Sequence, residues 1–293
     1  MDDYLIKATI ANKRVLAIIA QTTNLVEESR QRHHTLPTAT AALGRTLTLV
    51  GLLSAQLTEK QSLSIQIIGS GPLQEIYAQT DWQGNVRGYV KRPFIDLELN
   101  PLGKLDIEKA VGKGMIYVIK DLGLKEPFRG SAPLITGGIA KDLAYYFFLS
   151  EQKPSAVAAG VYINSKNQVE AAGGFIIQPT LDTDIEVVED LEKNIRSLPM
   201  PSALILAKIP PEEILRLIAG NLDYAIFETM PLRYKCRCNR AKCLAAIAAL
   251  GKDIIGEMIA RNRTVKVQCD FCARRYNISL PVLKKLYSQT TNQ

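Results

Sequence analysis

All five cysteines of this 293-residue chain lie between Cys236 and Cys272, and none occurs in the 235 residues before them. In a cytosolic protein such clustering means metal or redox chemistry rather than a disulfide framework. Cys236-Arg237-Cys238 places two sulfurs on one side of an extended segment, because side chains two apart share a strand face. Cys269-Asp270-Phe271-Cys272 is a tight turn that converges two more. Together they supply the four soft ligands preferred by tetrahedral Zn²⁺, which makes Cys236, Cys238, Cys269 and Cys272 the candidate metal site. The competing reading, four unrelated buried cysteines, does not account for the paired spacing. Cys243 is the spare thiol and is expected to be a small buried hydrophobe rather than a ligand.

Between the two pairs runs CLAAIAALGKDIIGEMIA, which predicts one or two short helices and is too small to make a core alone. Metal binding is therefore expected to supply most of the folding energy of this module, roughly 10 to 16 kcal/mol for small zinc units near neutral pH. Lys235, Arg237, Arg240, Lys242, Arg274 and Arg275 flank the ligands, and positive charge favours thiolate. Such a site is either a structural staple or a store of reactive thiolates, and spacing does not choose between them. If an oxidant consumes the thiolates, the metal leaves and the module loses its main source of order. Adjacent-but-one cysteines close a strained ring, so Cys269 and Cys272 are expected to pair more easily than Cys236 and Cys238.

The length allows one large domain and a small one. Residues 1–179 read as a sheet-rich α+β domain, with strands at Leu63–Ile68, Val86–Val90, Met115–Lys120 and Val157–Ile163. From Pro37 a run of small and apolar residues covers every face of a helix except at Arg45 and a few threonines, so it must be buried on most sides, as between two sheet layers. A second helix is predicted from Ala140 to Ser150. Residues 180–230 read as an acidic helical connector, with helices over Asp184–Ser197 and Pro210–Ala219 and prolines and acids at their starts. Its amphipathic faces are expected either to dock reversibly or, more ordinarily, to face a core. Residues 231–293 form the zinc module, whose last residues, SQTTNQ, are expected to fray.

The net charge of +7 is uneven. From Pro231 onward there are thirteen Lys/Arg against three Asp/Glu, and from Thr180 to Met230 four against ten. The opposite balances suggest that the basic tail docks on the acidic connector in a salt-sensitive way. The N-terminus, MDDYLIKATI, has acids where a secretory signal would be basic, and the most apolar stretch is broken by Pro37, Gly44 and Arg45. The expectation is a cytoplasmic protein with no membrane contact.

A basic tail raises the alternative of a zinc-ribbon nucleic-acid binder, but it has few aromatics for stacking and the large domain offers no extended basic surface. A thiol oxidoreductase is disfavoured because the CxxC lies far from any thioredoxin-like pattern. Gly69-Ser70-Gly71-Pro72 lacks the third glycine of a dinucleotide fingerprint and reads as a turn. His33 and His34 are the only histidines and read as a surface or helix-end pair. No enzymatic site is expected.

YKCRC at Tyr234–Cys238 and CDFC at Cys269–Cys272, together with RHHTLPTATAALGRTL, GSGPLQEI, VIKDLGLKEPF, DLAYYFFLSEQ and AAGGFIIQ, resemble the thirty-three-kilodalton heat-shock chaperone family over nearly the whole chain. That resemblance implies a sheet/helix/sheet N-terminal domain with a buried helix. It also implies a redox-regulated, ATP-independent holdase, inactive while Zn²⁺ is bound to the four reduced cysteines. Oxidation would pair Cys236 with Cys238 and Cys269 with Cys272, expel zinc and destabilise the connector. The partners implied are unfolding client proteins and, in the oxidised form, a second copy of the chain.

Overall fold

A helix that is apolar on every side has to be enclosed, and α2 (Pro37–Leu53) is: each of its residues except Pro37 and Arg45 is buried. Pro37 opens the helix at a position where its missing N–H costs nothing. The buried threonines turn their hydroxyls inward to the chain. Thr46 donates to the Ala42 carbonyl at 3.0 Å and Thr48 to that of Gly44 at 2.9 Å, while Thr22 and Thr48 share a 2.7 Å contact. At Gly44 a Cβ would come within 2.6 Å of Val26 and 2.9 Å of Val161, so only glycine allows this approach.

Two sheets enclose α2, as the sheet/helix/sheet reading expected. The structure is a computed structural model and describes residues 2–289. The first sheet runs in the order β10 (Tyr224–Pro231), β1 (Tyr4–Ile10), β2 (Val15–Gln21), β9 (Val169–Pro179), β8 (Ala156–Ile163), antiparallel throughout. The second runs β11 (Arg233–Tyr234), β5 (Asn85–Val90), β4 (Glu75–Asp81), β3 (Ser62–Gly69), β6 (Gly114–Asp121), β7 (Phe128–Pro133), with only the β11–β5 pair parallel. Helices α1 (Thr23–His33), α3 (Ile107–Val111) and α4 (Ala140–Glu151) fill the margins. The Gly69–Gly71 stretch is the β3–β4 turn, where the Gly71 N–H bonds the Val111 carbonyl at 2.9 Å.

Burial separates the two sheets. In the second, strands alternate buried and half-exposed residues, as a sheet covered on one face does. In the first, β9 is buried almost without interruption because both faces are covered. The second cover is the connector: α5 (Ile185–Ser197), α6 (Pro201–Leu206) and α7 (Pro211–Ala219) set Leu191, Leu204, Ile205, Ile214, Leu215 and Ile218 against Ile6, Ala8, Ile10, Ile19, Phe175 and Ile177. Its apolar stripe therefore faces a core. The chain is helical through Ala219 and then extended, because Tyr224–Pro231 pairs along the free edge of β1.

The described chain divides into two compact units, Met1–Lys235 and Cys236–Gln293. The second contains α8 (Arg240–Ala248), α9 (Lys252–Ala260), β12 (Val265–Gln268), β13 (Arg275–Ile278) and α10 (Leu280–Gln289). Two short helices thus occupy the span between the cysteine pairs, and Gly251, at φ +88°, separates them. Of the SQTTNQ end, Ser288 and Gln289 close α10 and residues 290–293 lie outside the described ones. Among the described residues no helix is long and apolar enough to cross a membrane.

Candidate metal centre

The first pair of cysteines leaves β11 in extended chain, and Asn239 then starts α8 as its N-cap, accepting the Lys242 N–H at 2.8 Å. The extended segment therefore ends just after Cys238, and its alternation buries Cys236 and Cys238 in part while Arg237 between them is exposed. The second pair sits in the turn of the β12–β13 hairpin. Cys269 N–H bonds the Arg274 carbonyl at 3.0 Å, and the Ala273 N–H bonds the Cys269 carbonyl at 2.8 Å. Ala273 is left-handed at φ +54°, which curls the turn back on its sulfurs.

These two local structures bring Cys236, Cys238, Cys269 and Cys272 together, with all four sulfurs within 4.8 Å of one another. Cys236 and Cys269 are 3.7 Å apart, Cys238 and Cys272 3.3 Å. Four sulfurs about 2.3 Å from a common zinc ion lie about 3.8 Å apart at the corners of a tetrahedron. The donor set and its spacing therefore fit a tetrahedral thiolate metal. Cys272 is buried at 4 % exposure, while the other three are half-buried.

Charge is distributed unequally among the thiols. Burial raises Cys238, but hydrogen bonds from the Tyr276 hydroxyl and the neighbouring thiols outweigh it and bring its pKa down to about 7. Burial pushes Cys269 and Cys272 up despite N–H donors from Phe271 and Arg274, and the adjacent cysteines push them further. The thiols of the cluster thus oppose one another's ionisation. A divalent cation removes that opposition, since coordination strips the proton from every ligand.

Cys243 lies on α8, is buried with Ile247, Ile255, Ile278 and Leu283, and is not one of the four converged thiols. Burial raises its pKa, so it behaves as a packed thiol. His33 ends α1 and meets the Tyr234 hydroxyl at 3.1 Å; His34 is the exposed left-handed residue that follows. Neither belongs to the cysteine cluster. Sequence reasoning missed Tyr276, whose hydroxyl donates to Cys238 Sγ at 3.1 Å. Its sequence signal is its place in the alternating Arg275-Tyr276-Asn277-Ile278 run just past the CxxC turn.

A family profile described as Hsp33 protein matches residues 3–279. The 33 kDa chaperonin of Oceanobacillus iheyensis is 44 % identical over 287 residues, spanning 98 % of this chain and 99 % of that protein. The 33 kDa chaperonin of Desulforamulus reducens is 42 % identical over 286 residues, 98 % and 97 % of the two chains. The crystal structure of the 33 kDa chaperonin from Thermotoga maritima, a heat shock protein 33 homologue, superposes with a TM-score of 0.94 at 38 % identity, covering 99 % of each chain.

Proposed function

This chain belongs to the Hsp33 family of chaperones, and from that premise we propose that it is a redox-regulated, ATP-independent holdase whose switch is the four-cysteine cluster. Convergence of the four sulfurs within 4.8 Å is the observation that carries this reading. In the reduced state Cys236, Cys238, Cys269 and Cys272 hold Zn²⁺, which supplies the order that the small core of residues 231–293 lacks. Oxidation by a hydroperoxide, two electrons from each pair and four in all, converts Cys236 with Cys238 and Cys269 with Cys272 into disulfides, with each peroxide reduced to water and its hydroxyl partner. A disulfide sulfur has no charge to offer the metal, so the ion leaves and the module unfolds.

The connector, residues 180–230, is the element that responds. Its helices α5–α7 cover the apolar outer face of the first sheet, while its last residues are built into that sheet as β10. Tyr4 donates to Glu212 at 2.9 Å, and burial together with that carboxylate pushes the Tyr4 pKa up to about 12. Arg14 pairs with Asp184 in solvent, a contact worth little. An apolar cleft of about 310 Å³ already opens between α4 and α5, lined by residues including Phe148, Ile177, Val188 and Leu191. Release of α5–α7 uncovers Ile6, Ile10, Ile19, Phe175 and Ile177, a surface suited to the apolar segments of unfolding proteins. The oxidised form works as a homodimer in the cytoplasm, without nucleic-acid or membrane contact and without turnover of a substrate.

Suppression of aggregation of a thermally unfolding protein tests this reading, with zinc release followed in parallel before and after peroxide at mild heat. Stoichiometric zinc loss accompanied by a large gain in suppression is the expected outcome. Zinc loss with no gain would reduce the cluster to a staple.

A further inference from the structure

The β12–β13 hairpin sorts its side chains by face. Val265, Val267, Tyr276 and Ile278 pack into the small core of the second unit, while Lys266, Gln268, Arg275 and Asn277 alternate with them and are exposed. Lys266 pairs with Asn277 and Gln268 with Arg275, so the two cations are diagonal neighbours on one face. Arg275 Nε donates to Gln268 Oε1 at 3.3 Å, and Arg240 Nη1 donates to the Asn277 carbonyl at 3.1 Å, which holds a third cation beside the ribbon. Arg263 is exposed at the open end of the hairpin and Arg274 at its turn. Residues 236–293 carry eleven Lys/Arg against three Asp/Glu, and among the described residues neither Lys266 nor Arg275 is in an ion pair. Cations so gathered repel one another and add nothing to folding, whereas a multiply charged anion would satisfy them together.

We propose that the outer face of this hairpin is a nucleic-acid surface that grips the phosphodiester backbone irrespective of sequence. A chain of phosphates presents one anion after another to separate cations, and the guanidinium forks of Arg240, Arg274 and Arg275 match phosphate oxygens in pairs. The outward residues include no aromatic for a base to stack on, so the contact is to the backbone alone. The acids of residues 180–230 are an unequal rival, because most are engaged close to home. Asp184, Glu192, Glu213 and Glu228 are ion-paired with Arg14, Arg196, Arg216 and Lys7, and Glu212 and Asp223 accept from the Tyr4 hydroxyl and the Asn12 N–H. Nucleic-acid binding is an added property of the folded module and not an alternative to the chaperone. The surface exists only while the hairpin is folded, so on the redox reading above the bound strand is released when the metal leaves. The binding itself does not depend on that reading.

The test titrates full-length, reduced, zinc-loaded protein into a fluorescently labelled single-stranded RNA of mixed sequence, read by anisotropy from about 50 to about 200 mM salt. With the five cations named above on phosphates, log affinity is expected to fall against log salt with a slope of roughly −3 to −4, a loss of roughly a hundredfold over that range. The double variant Lys266→Gln with Arg275→Gln is expected to bind roughly tenfold more weakly at the low salt and to flatten the slope by about one to two, with zinc content unchanged. Lys284→Gln with Lys285→Gln removes the same charge from α10 and is expected to matter much less. Equal weakening by the two pairs would assign the effect to net charge and overturn the proposal. Absence of binding at the low salt would overturn it too. Binding that appears only after Glu186→Gln, Glu189→Gln and Asp190→Asn would make those acids the occupant of the ribbon, with the same consequence. Protein that binds RNA when reduced, yet keeps both its zinc and its RNA under peroxide, would leave this surface standing and defeat the redox reading instead.

Discussion

The two units of this protein solve the problem of staying folded in opposite ways. Residues 1–235 enclose α2 between two sheets and cover one of those sheets again with α5–α7, so that large side chains such as Leu47, Leu49, Tyr146 and Phe147 are fully buried. Residues 236–289 bury Ile247, Ile255, Ile278, Leu283 and Cys243, with partly exposed neighbours around them. That is too little apolar area to offset the conformational entropy of so many ordered residues. In the proposed reading, a metal held by the four converged sulfurs makes up the deficit. A core held by burial changes gradually with conditions, whereas one held by ligands fails when their chemistry changes. On the proposed reading, stability belongs to the core of the first unit and responsiveness starts in the second.

The largest expected effect breaks the comparison at its weak side. Cys269→Ser removes one ligand, and the metal-linked stabilisation of roughly 10 to 16 kcal/mol is expected to collapse. Limited proteolysis should then cut freely within residues 236–289, next within 185–219, and leave the two sheets and α2 intact. On the other side, Leu47→Ala opens a cavity beneath α2, where Leu47 is fully buried. It should cost about 2 to 5 kcal/mol of denaturant stability without altering zinc stoichiometry.

A subtler difference lies in pH. Asp3 is buried at 5 % exposure and accepts the Asn24 and Leu25 N–H groups at the start of α1. Burial outweighs those bonds and raises its pKa from 3.8 to about 6. A raised carboxyl binds its proton more tightly in the folded state. Its contribution is therefore complete below pH 4 and lost as pH rises through about 6, on the order of 3 kcal/mol. Urea titrations of wild type and Asp3→Asn across pH 4 to 7 should show that slope only in wild type. The smallest effect belongs to the connector: Tyr4→Phe removes the 2.9 Å bond to Glu212 and should destabilise α5–α7 by about 1 kcal/mol. Faster hydrogen exchange confined to residues 185–219 would show it.

Much of this was legible in the sequence, for local reasons. Pro37 and the all-round apolar run specify an enclosed helix, and a CxC followed by a CxxC turn each place their sulfurs together whatever surrounds them. The acids and prolines before α5 and α7 mark helix starts in the same local way. What escaped depends on partners distant in sequence. Tyr224–Pro231 closes an acidic, largely helical stretch and becomes a strand only because β1, more than 200 residues earlier, offers a free edge. Tyr276 acquires meaning through a sulfur 38 residues away. The fate of Cys243 was readable from its position in an apolar helix, and it is buried there at 8 % exposure.

Hydrogen exchange resolved by residue, on reduced zinc-loaded protein and again after peroxide has expelled the metal, tests the contrast between the units most directly. The expected result is loss of protection throughout residues 236–289, then in 185–219, while β2, β9 and α2 keep theirs. Uniform loss across both units, or protection retained in 236–289 after the zinc has gone, would contradict a module held together by its ligands.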